Sequence, residues 1–274
     1  MSSIEKAMER AAGAAGGVVE RLVAARRVRE EAPRHDLDLG RLRSMGYLTP
    51  EDSDGALAEQ YRIIKRPLLM NAFGRGAVPI EGGNLIMVTS SLPGEGKTFT
   101  TFNLAMSMAM ELDHTVLVVD ADIVKPTLTE LAGLKGRPGL TDVLASDSVG
   151  VGDVIARTNV PKLRIIPAGK AHPNSSELLA SQAMRTLMEE LAERYPDRVV
   201  LFDTPPLLAA SQASILTYLV GQVVVVVEAG RTPQPVVKEA LGLVDSSKAV
   251  GLVLNKSHER GSGDYYGYYG HGEA

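Results

Sequence analysis

The chain has 274 residues, a formal net charge of −4 and no cysteine. Disulfides and thiolate metal sites are therefore excluded, and the mildly acidic balance argues against a nucleic-acid binder. The length suits one fair-sized α/β domain plus an extension, with a well-buried core, and the lack of cysteine fits a reducing cytosol.

The opening MSSIEKAMERAAGAAGG has no basic stretch followed by an apolar core, so no secretory signal is expected. Residues 1–31 read as a helix. Ser2 and Glu5 have capping-box spacing, and Ile4, Met8, Ala11, Ala15, Val18 and Leu22 recur at helical intervals. Gly13, Gly16 and Gly17 weaken it by about 1 kcal/mol each relative to alanine. Its basic end, RLVAARRVRE, reads as a solvated helix end in preference to an anchor for an anionic membrane.

Residues 32–80 read as a link to the core, with turn signals in LTPEDSDG and a helix in ALAEQYRIIKRPLL. From 84 to 256, six apolar runs alternate with helical stretches: LIMVTS, TVLVVDAD, LRIIPAG, RVVLFDTPP, VVVVVEAG and AVGLVLNKS. Such runs predict an α/β fold with a mostly parallel sheet covered by helices on both faces. The uncharged stretch from Thr204 to Val227 is long enough to suggest a membrane span. Its prolines, Gln212, Gln222 and five-valine run predict loop, helix and buried central strand instead, hence a soluble chain. Beyond Lys256 no core-forming pattern remains, which predicts a disordered tail. The division is thus an N-terminal extension and linker over 1–80, a core α/β domain over 81–256 and a tyrosine-rich tail over 257–274.

The strand LIMVTS runs into SLPGEGKT and then a helix, the context that makes a phosphate-loop match meaningful. Ser91, Pro93, Gly94, Glu95 and Gly96 form the loop, whose glycines let amide hydrogens point at phosphates, and Phe99 follows it. The helix N-terminus adds partial positive charge. Lys97 is expected to reach the β- and γ-phosphates of ATP, and the Thr98 hydroxyl to take a place on Mg²⁺. Ser91, at a position where the pattern begins with glycine, needs only a small side chain. Asp120 and Asp122 end one strand on one face, and Asp203 ends another in the position of a Walker B carboxylate. In open α/β sheets, ligands sit outside the carboxyl ends of the strands, so these three acids are expected to converge on Lys97 and Thr98 and bind the metal.

SLPGEGKT, VVDADIVKP, GLTDVL, HPNSSELLAS, LFDTPPLL and the tyrosine-rich tail together resemble the bacterial tyrosine kinase family, autokinases of capsule and exopolysaccharide production. SIEKAMER and EQYRIIKRPLLMNAF are similar to the subgroup associated with exosortase-type loci. The resemblance implies a P-loop domain with a Walker A loop over Ser91–Thr98, a Walker A′ element at Asp120 and Asp122, and Walker B at Asp203. It leaves open which aspartate is the catalytic base. Val124 stands where the family usually has arginine, with Lys125 following. EQYRIIK resembles the family's ring-assembly motif, with Glu59 and Arg62 matching and Lys65 in place of the last arginine; lysine cannot reproduce a bidentate fork. Asn255 matches a position that often contacts adenine in related ATPases.

Four of the eight tyrosines crowd into the last ten residues, Tyr265, Tyr266, Tyr268 and Tyr269, and are the expected phosphoacceptors. The resemblance implies transfer between subunits of a homo-oligomeric ring, a membrane chain-length regulator as activator, a cognate tyrosine phosphatase, and a cytoplasmic protein recruited to the inner face of the membrane. Two rivals are a septum-placing or plasmid-partitioning type of ATPase switch and a non-catalytic regulator of polysaccharide polymerisation. Leu92 stands where the first rival carries its extra loop lysine.

Overall fold

The computed structural model describes residues 34–257, apart from 53, 77, 147, 195 and 196. The helix expected over 1–31 and the tail beyond Ser257 lie outside the described residues, as do the four tail tyrosines.

The strands are β1 (Arg34–His35), β2 (Leu85–Ser90), β3 (Thr115–Asp120), β4 (Ala156–Thr158), β5 (Leu163–Ile166), β6 (Arg198–Asp203), β7 (Gln222–Glu228) and β8 (Ala249–Asn255). They form one sheet in the order β1-β4-β5-β3-β6-β2-β7-β8. Every neighbouring pair is parallel except β4 with β5, which is antiparallel. The six apolar runs are thus strands, and β1 and β4 join them. Both are too short, at two and three residues, to carry a periodic signal. The valine run in β7 is buried but lies one strand in from the β8 edge, not at the centre.

The helices are α1 (Leu39–Ser44), α2 (Ala56–Ala72), α3 (Lys97–Ala109), α4 (Thr127–Leu131), α5 (Leu140–Ala145), α6 (Val151–Val154), α7 (Ser175–Leu179), α8 (Gln182–Glu193), α9 (Ser211–Thr217) and α10 (Gln234–Leu241). The uncharged stretch is loop, α9 and β7, and no helix among the described residues is long and apolar enough to cross a membrane.

Because β2, β3 and β6 are buried on both faces, their side chains alternate between two cores. On one face, Ile86, Val88, Val116 and Leu201 pack with Phe102 and Met106 of α3 and with Tyr61 and Leu68 of α2. On the other, Leu85, Met87, Leu117 and Phe202 pack with Met184 and Leu187 of α8 and Leu216 of α9. Residues 34–72, read from sequence as part of the extension and linker, are built into the first core. Leu37, Leu42, Leu48 and Ala58 are buried there, β1 joins the sheet, and the Leu48 amide donates to Asn103 Oδ1 at 2.7 Å. The signal was weak because this segment is short elements and turns, and its apolar residues find partners only across the chain.

Candidate functional site

The sheet register sets the site. Asp120 at the end of β3 lies level with Asp203 at the end of β6, and Val88 of β2 lies level with Asp203 from the other side. The loop leaving β2 therefore opens directly above both carboxylates. Its bend is made by Gly94 and Gly96, with φ of 90° and 97°, a region that side chains rarely tolerate. At Gly96 a Cβ would also run into Asn255 Nδ2. The loop then becomes α3, whose first residues are Lys97 and Thr98.

The structure brings Asp122 to Lys97 and Asp203 to Thr98. Lys97 Nζ donates to Asp122 Oδ2 at 2.8 Å, and Thr98 Oγ1 donates to Asp203 Oδ2 at 2.7 Å, with Thr101 Oγ1 on the other Asp203 oxygen at 3.2 Å. Asp120 is not part of that cluster. Its Oδ2 accepts from the Thr129 amide at 2.8 Å and the Thr129 hydroxyl at 2.7 Å, and its Oδ1 accepts from the Asp122 amide at 3.2 Å. Asp120 thus ties the start of α4 to the end of β3 and fixes the turn that carries Asp122. Of the three acids expected to converge on Lys97 and Thr98, Asp122 and Asp203 contact them directly, whereas Asp120 acts on Lys97 through its charge alone.

These charges share a dry setting. Burial pushes the fully buried Asp203 carboxyl above its ordinary range, against the pull of Lys97 and the Thr98 hydrogen bond. Burial, and then repulsion from Asp203, pushes Asp120 up to about 8. Burial opposes the Lys97 charge, but Asp203, Asp122 and Asp120 outweigh it and hold the ammonium's pKa above its usual value. The site is thus an excess of carboxylates facing one lysine, which a divalent cation would relieve.

A cavity of about 600 Å³ opens over the loop, lined by Pro93, Gly94, Gly96, Lys97, Thr98, Phe99, Asp122, Val124 and Lys125 on one side and Pro205, Pro206 and Ala209 on the other. Val124 is 76% exposed. The residues fit a nucleoside triphosphate with Mg²⁺. The amide-bearing loop, a lysine and a helix N-terminus address anionic oxygens, while one hydroxyl and two carboxylates match the oxygen preference of that ion. The Ser91 hydroxyl is buried with no hydrogen-bond partner among the described residues.

Other sequence-selected residues have structural partners. The buried Glu95 side chain accepts from the Leu92 amide at 2.6 Å, the Glu228 amide at 3.3 Å and the Thr232 hydroxyl, so it braces the loop from behind. Asn255 Nδ2 donates to the Glu95 carbonyl at 2.9 Å and packs against Gly96. Phe99 stacks obliquely on Tyr47 at 5.0 Å. Glu59 and Arg62 pair with each other on the exposed face of α2. Lys65 is buried instead: its Nζ donates to the Ser107 carbonyl at 2.7 Å and pairs with Glu111 at 2.5 Å, so its charge is used within the chain. Sequence reasoning missed Thr129, Thr101, Tyr47 and Lys256. Thr101 had a signal, because a hydroxyl one helical turn beyond Lys97 shares its face. Thr129 and Tyr47 reach the site only through the fold. Lys256 Nζ donates to the Gly94 carbonyl at 2.7 Å and to Glu228 at 3.2 Å.

Residues 83–238 match the family described as AAA domain. The tyrosine-protein kinase YwqD of Bacillus subtilis (strain 168) is 35% identical over 216 residues, 78% of this chain and 86% of that one. Among solved structures, the chimerical protein CapA2B2 superposes with a TM-score of 0.65 at 29% identity, covering 76% of this chain and 88% of that one. The kinase domain of the Escherichia coli tyrosine kinase ETK superposes with a TM-score of 0.64 at 28% identity, covering 77% and 82%. With its P-loop, its carboxylates and this extent of likeness, the chain belongs to the bacterial tyrosine-protein kinase family.

Proposed function

We propose that the chain is a protein-tyrosine autokinase that transfers phosphoryl groups from ATP to its own C-terminal tyrosines, between subunits of a homo-oligomer, and thereby regulates exopolysaccharide synthesis. The observation that carries this reading is the Lys97–Asp122 and Thr98–Asp203 pairs at the floor of one cavity, in a chain whose tail supplies four tyrosines.

In this reading the loop amides and Lys97 bind the triphosphate, and Lys97 exchanges Asp122 for phosphate oxygens. Thr98 and Asp203 would hold Mg²⁺, with Asp122 as the second carboxylate, and the ion would neutralise phosphate charge. Asp122 lines the cavity whereas Asp120 is turned to Thr129, so Asp122 is the carboxylate placed to orient the tyrosine hydroxyl and accept its proton. The phenol oxygen gains the terminal phosphoryl group, its proton passes to the carboxylate, and ADP leaves. Each modified tyrosine then carries about −1.5 to −2 charge at pH 7, and several within ten residues repel one another and acidic surface, driving subunits apart. Subunit contacts would run through the exposed face of α2 that carries the Glu59–Arg62 pair. A membrane chain-length regulator as activator and recruiter to the inner membrane face, and a tyrosine phosphatase that resets the tail, complete the cycle.

Mass spectrometry of the protein incubated with ATP and Mg²⁺ tests the proposal. Phosphate on Tyr265, Tyr266, Tyr268 or Tyr269, absent in Lys97→Met, supports it. An unmodified tail in a preparation that hydrolyses ATP argues for a switch ATPase.

A further inference from the structure

Among the described residues, nothing pairs with the far edge of the sheet. There β8 pairs with β7 alone, and it contains neither a charge nor a proline. Val250, Leu252 and Leu254 project from one face of it and are 43%, 57% and 65% exposed. The Ala249 amide donates to Gly221 and the Asn255 carbonyl accepts from Ala229, so the odd-numbered residues bond inward to β7. In a parallel strand the alternate residues then point outward, leaving the amides and carbonyls of Val250, Leu252 and Leu254 at the open edge. Natural edges are blunted by lysine, proline, bulges or brevity, and seven uncharged residues here have none of these.

We propose that the unphosphorylated tail of this chain docks on that edge as an added antiparallel strand, parking its tyrosines away from the cavity. The inference rests on the kinase reading and adds its regulation. The chain leaves β8 directly into the tail, and at Lys256 it adopts a left-handed backbone with φ of 57° that bends it off the strand direction. The Lys256 side chain is held to Gly94 and Glu228, on the β7 side of β8, which fixes the point where the chain leaves the sheet. Nine residues from Lys256 to Asp264, two of them glycine, are ample to reverse direction, and loop closure costs little more for nine residues than for five. Tyr265 to His271 then spans seven residues, the length of β8. Tyrosine favours strands and pairs well with aliphatic side chains across a ladder. Because the tail is tethered, it meets this edge at high effective concentration, ahead of a second copy. A phosphotyrosine dianion cannot pack on Val250, Leu252 and Leu254 without losing its hydration, so modification frees the edge.

Amide hydrogen exchange on the full-length protein, without nucleotide, tests this. The Val250, Leu252 and Leu254 amides are expected to exchange about tenfold or more slowly in the wild type than in a full-length variant with serine at 265, 266, 268 and 269. Leu252→Lys, at an exposed position outside the cavity, is expected to abolish the difference while leaving β7 protection intact. Equal exchange in wild type and the serine variant overturns the proposal. So does protection lost on dilution, which would assign the edge to a second copy. Since the readout needs no catalysis, protection in a protein that transfers no phosphate would sink the kinase reading alone, and transfer without protection would sink only the parking.

Discussion

Lys97 carries the heaviest chemical demand of any residue in the chain, and its surroundings explain why. Its ammonium pairs with Asp122 and answers the charges of Asp203 and Asp120, so Lys97→Met is expected to remove tyrosine transfer by about a hundredfold or more while the fold survives. Gly96 is constrained twice, by its left-handed backbone and by Asn255 packed where a Cβ would stand. Gly96→Ala should therefore weaken nucleotide binding about tenfold or more, read by nucleotide titration, with a smaller loss of melting temperature. Asp120 gives a pH prediction. Its carboxyl titrates near 3.8 ordinarily and is pushed up to about 8 in the fold, by burial first and Asp203 second. The stability tied to its neutral form is present below pH 4 and is lost as pH rises through about 8. In magnesium-free buffer, Asp120→Asn should gain melting temperature relative to wild type between pH 5 and pH 8. Parallel melting curves across that range would contradict the assigned environment.

At the scale of elements, α2 shows how one helix can divide its labour. Glu59 and Arg62 face outward, but Lys65 turns into the contact with α3, where it meets the Ser107 carbonyl and Glu111. Lys65→Ala should cost about 1–3 kcal/mol of stability in denaturant unfolding, because it strands a carboxylate beside a buried carbonyl. Arg62→Glu should instead change the oligomeric state with little effect on stability, read by light scattering. This division was not legible from the spacing of Glu59, Arg62 and Lys65, since one shared helical face can still straddle the border between core and solvent. What the sequence did display were the parts with strong periodic or chemical signatures: the six longer strands, the glycine loop, Asp120 and Asp203 at strand ends, and Asp122 in the turn just beyond. Hidden from it were contacts made by folding alone. Thr129 claims Asp120, Glu95 is spent on bracing the loop, and Asn255 packs on Gly96, all by tertiary approach that no local pattern announces.

At the scale of the whole molecule, residues 34–72 and the P-loop domain share one core. Leu37, Leu42, Leu48, Tyr61 and Leu68 pack with Phe102 and Ile86, and burying such side chains contributes about 1.5–3 kcal/mol each. A chain begun at residue 81 should therefore fail to unfold cooperatively, or aggregate, whereas one begun at residue 34 should melt like the full protein in calorimetry. The same integration links the ends of the molecule to its site. Tyr47 leans on Phe99 beside the phosphate loop, and Lys256 anchors the root of the tail to Gly94. The loop that would hold ATP and the tail that would receive phosphate are thus joined through one side chain. The most direct test of the central claim is the phosphorylation state of Tyr265, Tyr266, Tyr268 and Tyr269 after incubation with ATP and Mg²⁺, in wild type and in Lys97→Met. Phosphate on these tyrosines in the wild type and none in the variant is the predicted result; tyrosines that stay unmodified while the wild type hydrolyses ATP, or equal modification of both proteins, would contradict it.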